Sequence, residues 1–450
     1  MFTRLSPLLG FACALLALTA LRAAAQVRLD PGFSGEGRRT VSLDLYRAAI
    51  DRARRVFPTT GGYLLVGEAS NSPGRTLALT RLNLSGELDT SFGINGKRSY
   101  AVDSPEILDA VQDSQGRVIF AGNTSANGGS DVLLGRVLPN GEVDPSFGFL
   151  GLARIDLNTE DDVLALAVGP QDQVLALVRS RPGPDFGWGT HVAAMDASAQ
   201  NFGAVFLGAS PLLEAGAAAW SNGRNALLVG LPISTSQSCL LGVYSVSLGQ
   251  GPGGLSLDAD PLGSATVAGA TNGCTQVSVT AVAPIPGSGC ALLAAHRVNP
   301  NGPAGNERQV GLLMRLSASG ALDFLRTEFP PFPTDDLRFR AVAADAQGRL
   351  LVAGDITNTT GPSTRFGLFR YLANGAPDTS FNAGSAFIST SFNASNGLDS
   401  ALATVRDLRV IGPRILLAGR SRWTGNSDDD FAVAAFTTPD APLFGNGFEP

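Results

Sequence analysis

One short peptide recurs along this chain, and its recurrence restricts the fold more than any other feature. LDTSFGINGKR runs from Leu88 to Arg98, and variants of it are LDPGFSGEG (Leu29–Gly37), VDPSFGFLG (Val143–Gly151) and PDTSFNAG (Pro377–Gly384). A second marker, a short apolar run, appears as GGYLLVG (Gly61–Gly67), GRVIFAG (Gly116–Gly122), QVLALV (Gln173–Val178) and NALLVG (Asn225–Gly230). It continues as CALLAA (Cys290–Ala295), GRLLVAG (Gly348–Gly354) and RILLAG (Arg414–Gly419). The ends of these seven copies lie 55, 56, 52, 65, 59 and 65 residues apart. Repetition at such a period signals an array of like supersecondary units.

Each unit keeps one internal order. A first apolar run such as ILDAVQD (Ile107–Asp113) or LRFRAVAAD (Leu337–Asp345) precedes a tight turn and the marker. A third run follows, as in DVLLGRV (Asp131–Val137), VGLLMRL (Val310–Leu316) or FGLFRYL (Phe366–Leu372), then an Asn-Gly or Ser-Gly turn and the Asp-x-Ser-Phe-Gly peptide. A weaker fourth run completes it. Runs of five to eight aliphatic residues are strand-length, and continuous apolar character suits strands covered on both faces. Four strands per unit, repeated seven times, predict an all-β, seven-bladed β-propeller, with six or eight blades as alternatives. Gly 54 and Pro 27, spread along all 450 residues, supply the turns this requires.

In the recurring peptide, Asp89 can accept a hydrogen bond from the N–H two residues on, closing an Asx-turn. Phe92 supplies an apolar anchor, and Gly93 a backbone conformation other residues resist. The equivalent corner residues are Asp30 and Phe33, Asp144, Phe147 and Gly148, and Asp378 and Phe381. The peptides LNLSGELDTSFGINGK and VLPNGEVDPSFGFLG, each in a unit with a QGRVIFAG-type strand, resemble the delta-60 repeat of bacterial exported proteins. The resemblance covers Leu29–Ala153 and Leu337–Gly384 and is degenerate between Asp156 and Phe332, where ALDF (Ala321–Phe324) keeps the Asp and a Phe. It implies a propeller-like array and no defined activity, so it carries over no catalytic residue. The ending LFGNGFEP (Leu443–Pro450) is similar to a short Phe-x-x-Gly-Phe-Glu tail of some gammaproteobacterial exported proteins.

The chain's ends complement each other. The last unit runs from LATVRDLRV (Leu402–Val410) through FAVAAF (Phe431–Phe436) without a corner or fourth strand. The segment LDPGFSGEGRRTVSL (Leu29–Leu43) contains both. It is expected to supply the last strand and close the ring, protecting edges an open array exposes.

Residues 1–25 read as a secretory signal peptide: Arg4, an apolar run from Leu8 to Leu21, and Ala23-Ala24-Ala25 before Gln26. Residues 26–440 are expected to form one propeller domain and 441–450 a short tail. Export makes a disulfide plausible for Cys239, Cys274 and Cys290. Cys290 lies in a core-type run and the other two follow turn-rich stretches, so a Cys239–Cys274 bond is expected.

Chemistry is sparse. Net charge is −6, Lys97 is the only lysine, and no basic stripe offers a nucleic-acid footprint. No apolar run is long enough for a membrane span. The only histidines are His191 and His296, without a GxSxG elbow. Glu160-Asp161-Asp162, Asp335-Asp336 and Asp428-Asp429-Asp430 offer oxygen donors for Ca²⁺, without a regular calcium-loop spacing; solvated acidic loops are the simpler reading. Trp188, Trp220 and Trp423 suit a sugar face or ordinary packing. No catalytic, cofactor or metal residue is assigned. The expectation is an exported monomer, periplasmic, cell-surface or extracellular, that binds a protein or glycan through its loops without enzymatic chemistry. The alternative is a calcium-dependent hydrolase or lactonase-type propeller.

Overall fold

The computed structural model describes residues 26–437 except 44, 46–49, 72–73, 103–105, 127–128, 159, 210–215, 235–237, 252–253, 269–273, 275, 288, 299–307, 362, 393–399 and 424–427. The proposed signal peptide (1–25) and tail (441–450) lie outside these residues. Among the described residues every regular element is a strand, and no helix is long and apolar enough to cross a membrane.

The chain opens with β1 (Arg28–Leu29) and β2 (Arg38–Val41). One antiparallel meander comprises β3 (Arg52–Thr59), β4 (Gly62–Asn71), β5 (Gly74–Asn83) and β6 (Lys97–Ala101). The next holds β7 (Ile107–Gln112), β8 (Val118–Ala126), β9 (Gly129–Val137) and β10 (Leu152–Ile155), followed by β11 (Glu160–Val168), β12 (Val174–Arg181), β13 (Gly189–Met195) and β14 (Phe202–Ala209). Then come β15 (Ala217–Ser221), β16 (Ala226–Ser234), β17 (Cys239–Gly251) and β18 (Gly254–Thr266), and β19 (Val277–Ile285), β20 (Gly289–Val298), β21 (Arg308–Leu316) and β22 (Leu322–Glu328). The last strands are β23 (Asp335–Ala344), β24 (Leu350–Asn358), β25 (Ser363–Tyr371), β26 (Phe387–Thr390), β27 (Ser400–Ile411), β28 (Arg414–Trp423) and β29 (Asp429–Thr437).

Hydrogen bonding groups these strands into six sheets: four of four strands, one of eight and one of five. Seven separate sheets were expected. The difference arises at one parallel bridge, Glu160↔Ser130, which joins the β7–β10 and β11–β14 meanders. The five-stranded sheet is β27–β28–β29 with both N-terminal strands added to β29. Arg38–Val41 pairs antiparallel with Phe431–Ala434, and Arg28–Leu29 with Phe436–Thr437.

The seven apolar markers form β4, β8, β12, β16, β20, β24 and β28, the second strand of each meander. Their residues are almost wholly buried because one face packs on each adjacent meander. Leu64 and Val66 join Ile107 and Phe120 in one core cluster, while Leu65 joins Phe33 and Phe431 in another. The first strands are innermost. Each touches the first strands of its neighbours in turn, β3 with β7, β7 with β11, onward to β23 with β27, and β27 with β3.

Candidate functional site

The recurring corner is a clasp between successive meanders. In three copies, those of Asp89, Asp144 and Asp378, Asp Oδ1 accepts the hydroxyl and backbone N–H of the serine two residues on; for Asp144 and Ser146 the distances are 2.7 and 3.0 Å, while in the N-terminal copy Asp30 accepts the Gly32 N–H at 2.9 Å. The other oxygen binds an arginine eight residues earlier in the third strand: Arg81 Nε to Asp89 at 2.7 Å, Arg136 to Asp144 at 2.8 Å and Arg370 to Asp378 at 2.7 Å. Each guanidinium then lies over the corner phenylalanine, 4.8 Å from Phe92, 4.7 Å from Phe147 and 4.7 Å from Phe381. At the N-terminal corner Arg414, from β28, binds Asp30 at 2.5 Å and stands 5.9 Å from Phe33. The degenerate ALDF copy keeps the ion pair, Arg315 to Asp323 at 3.0 Å.

The phenylalanines reach out of their own sheets. The Phe33 ring lies under Gly86, and Phe92 under Gly141, both turn glycines of the following meander. A Cβ at Gly141 would stand 2.5 Å from the Phe92 ring, and its φ of +83° also suits glycine alone. The Asn-Gly or Ser-Gly turn and the Phe corner thus recur together because they are the two halves of one contact. The arginine was the partner missed in the sequence, although its constant spacing of eight residues before the Asp is a legible signal. Burial pushes the Asp144 carboxyl up, but the bonds from Ser146 and the field of Arg136 outweigh burial and hold it below the usual carboxylate range. Gly93 and Gly148 both take φ of +55°.

Cys239 and Cys274 are joined by a disulfide with Cα atoms 4.6 Å apart, closing the base of the long β17–β18 hairpin. Cys290 is a buried free thiol, pushed up to about 12 by burial. In an exported protein, peptide mapping without reduction should recover the 239–274 linked pair, and Cys290 should react with alkylating agents only after unfolding. For the 35-residue spacing, reduction is expected to cost about 3–4 kcal/mol. A free thiol at Cys239 or Cys274, or a bond to Cys290, would remove the assignment.

Among the described residues neither imidazole has a triad around it. His296 is buried with Nε2 unbonded, and His191 packs on Phe206 at 5.0 Å with Nδ1 unbonded. Burial lowers the pKa of both rings. Trp188 is covered by two guanidiniums, Arg179 and Arg181, each 4.5 Å away. Trp220 is half-buried in a core cluster, and the Trp423 side chain lies outside the described residues.

The acidic runs are divided among several partners. Glu160 binds Arg181 at 2.7 Å, and Asp162 binds Arg179 at 2.9 Å and Asn123 at 2.7 Å. Asp335 binds Arg365 at 2.7 Å, while Asp336 accepts the Gln309 N–H at 3.0 Å. Asp429 binds Arg420 at 2.5 Å and Arg422 at 2.7 Å. Asp161 goes elsewhere: its carboxylate lies with those of Asp131 and Asp156, one oxygen of each mutually within 4.8 Å. Burial and then the charge of Asp156 raise the Asp131 carboxyl, against the opposing pull of Arg154.

A second charge centre gathers on the innermost strands. Six of them slip register by one residue at a corresponding point, leaving Arg54, Leu108, Leu164, Thr280, Arg340 and Arg406 outside the ladder. Such bulges re-aim a side chain away from the sheet. Three of the six are arginines, from β23, β27 and β3, which are successive neighbours. Arg54 is neutralised by Glu68 at 3.2 Å and by Glu106, and Arg340 by Asp355 at 2.7 Å. Arg406 is half-buried and, among the described residues, has no hydrogen bond or ion pair. Burial, then repulsion by Arg340 and Arg54, pull it down to about 9. It therefore stays cationic at neutral pH; the nearby Asp355 opposes the repulsion but is itself paired with Arg340.

Residues 61–92, 114–147 and 347–381 match the profile of a β-propeller domain of unknown function, DUF5122. Each match starts at or just before a second strand and ends on a corner phenylalanine. The fold is that of a β-propeller protein. No curated protein matches the sequence. Similar solved structures include a protein of unknown function from Dyadobacter fermentans, at 11% identity over 89% of this chain and 99% of that one, with a TM-score of 0.44. The β-propeller domain of the Trilobed protease from Pyrococcus furiosus, described as having an open velcro topology, matches at 9% identity over 88% and 96%, TM-score 0.42. Prolyl oligopeptidase B from Galerina marginata matches at 11% identity over 84% of this chain and 50% of that one, TM-score 0.43.

Proposed function

We propose that the protein is an exported, non-enzymatic propeller of seven delta-60-type units, closed by its own N-terminal segment, that binds an anionic ligand at Arg406. The seven-unit count is supported by the seven innermost strands, each touching the next. Closure is supported by the pairing of β2 with β29 and by the contact of β27 with β3. Export is supported by the leader-like composition of residues 1–25.

The observation that carries the binding assignment is the unpaired guanidinium of Arg406 beside Arg340 and Arg54. A guanidinium offers five donors in a fork that matches carboxylate or sulfate bidentately, and a partly desolvated site strengthens that pairing. An acidic oligosaccharide carrying uronate or sulfate groups is the ligand class that fits an exported binder. The calcium-enzyme alternative calls for carboxylates converging at equivalent points of several units. The bulge positions carry arginine, leucine and threonine instead.

Calorimetry of the mature chain with oligogalacturonate, inorganic sulfate and a neutral oligosaccharide of equal length tests this. Binding of the charged ligands alone is expected, weakened at least about tenfold by Arg406→Ala, the effect of losing one charge-assisted pair. Equal affinity of the variant, or no binding of either anion, would overturn the assignment.

A further inference from the structure

We propose that Asp131, Asp156 and Asp161, together with the Thr124 hydroxyl, form a calcium site at the seam between the β7–β10 and β11–β14 meanders. The inference does not depend on the arginine cluster. The seam is held by the Glu160↔Ser130 bridge, by Ser130 Oγ donating to the Asp161 carbonyl at 3.2 Å, and by Asn123, which bonds both Asp162 and the Val163 N–H. These contacts fix β9 against the start of β11, so Asp131 and Asp161 face each other across it. Asp156 follows β10 directly and completes the group.

Two buried polar atoms there lack partners. Asp161 is fully buried; its Oδ2 accepts the N–H groups of Leu157 at 2.6 Å and Asn158 at 3.2 Å, whereas Oδ1 accepts nothing. Thr124, 1% exposed, pairs directly with Asp131 across β8 and β9, and cross-strand partners project to the same face. Its hydroxyl also has no partner. Buried polar atoms are rarely left unsatisfied, and a cation at this point satisfies both.

The donors are all oxygen, which selects a hard ion. At Ca–O distances of about 2.3–2.6 Å, oxygens of one shell lie up to about 5 Å apart, whereas Mg²⁺ demands a tighter octahedron. Carboxylate oxygens within 4.8 Å of one another meet the calcium spread. Arg154, 3.1 Å from Asp131, is the only cation paired with the group among the described residues; being exposed, it can leave when the ion binds. The exposed Asp156 leaves room for water ligands.

The chain carries its own comparison. The Ile50↔Asp429 bridge is the counterpart of Glu160↔Ser130, and Leu43 N–H to Asp51 the counterpart of Leu157 N–H to Asp161, both at 2.6 Å. Pairing of Val41 with Phe431 matches that of Ile155 with Val132, so Ser42 stands where Asp156 does. That seam lacks the third carboxylate, and among the described residues Asp131, Asp156 and Asp161 are the only such group.

The test is calcium titration of the EDTA-treated mature protein, by calorimetry and by thermal unfolding. Expected are one Ca²⁺ per chain, an unfolding midpoint raised by millimolar Ca²⁺ but not by equal Mg²⁺, and affinity reduced at least about tenfold in Asp156→Asn. Because Asp156 is exposed, the metal-free midpoint of this variant should match wild type. Arg154→Gln should bind several-fold more tightly, as the competing cation is gone. No heat and no midpoint shift in wild type, or Asp156→Asn binding as tightly as wild type, would overturn the site.

Discussion

Deleting residues 26–41 should lower the unfolding midpoint by on the order of 5 °C or more, a loss of at least about 5 kcal/mol. The deletion removes β1 and β2 from β29, exposing a strand edge along Phe431–Ala434. Also lost are Val27 and Phe33, which are 2% and 0% exposed in two different core clusters. A buried phenylalanine alone contributes about 3–5 kcal/mol on truncation to alanine, and a folded chain commonly has only about 5–15 kcal/mol in all. Polar contacts go as well: Arg414 loses its carboxylate partner Asp30 and keeps only the Tyr63 hydroxyl and the Leu84 carbonyl, and Arg38 no longer donates to the Ser391 carbonyl. Thermal unfolding followed by circular dichroism measures the effect. A truncated chain melting with the chain that keeps residues 26–41 would show that the N-terminal segment does not support the fold.

Phe147→Ala should destabilise by about 3–5 kcal/mol, far more than Ser146→Ala at about 1 kcal/mol. Phe147 is fully buried in a cluster drawing Ile119 and Leu134 from one meander and Val163, Val174 and Met195 from the next. Removing it opens a cavity at a seam and uncovers Arg136, which is 3% exposed. Denaturant titration of both variants compares them directly; a Phe147→Ala cost below about 1 kcal/mol would mean the corner is a turn and not a clasp. Acid weakens the clasps together. Hydrogen bonds and neighbouring arginines hold Asp89, Asp144 and Asp378 below the usual carboxylate range, against burial. Their stabilisation is complete above the unfolded value of about 3.9 and is lost as pH falls through the lower folded values.

The second strands were legible because burial on both faces leaves continuous aliphatic runs with no competing reading. The N-terminal complement was legible because the last unit visibly lacks what the first residues contain. What the corner does was harder to see. Local turn chemistry explains Asp144 and Gly148, but Phe147 acts on the next unit, and a contact between units has no local signature. The middle of the chain departs from the pattern for a related reason: where the corner degenerates, the long β17–β18 hairpin and its disulfide stand in its place. The partners of the acidic runs were not legible because adjacency in sequence is not adjacency across a strand. Glu160, Asp161 and Asp162 alternate faces, and Asp161 alone meets Asp131 and Asp156. Arg54, Arg340 and Arg406 come from three different units, and their convergence depends on bulges that no run of apolar residues announces.

The divided clasp has an evolutionary consequence. At Phe33, Phe92 and Phe324 the phenylalanine belongs to one copy and the glycine that covers it, Gly86, Gly141 or Gly375, to the next, so a junction between such copies carries a complete contact. Unequal crossing-over between such copies, within the corner sequence, can add or remove a whole unit while each of these phenylalanines still finds a glycine. Copy number in such arrays can therefore change in a single genetic event without a compensating substitution, whereas a loss that begins or ends elsewhere in the period strands half a contact at each break.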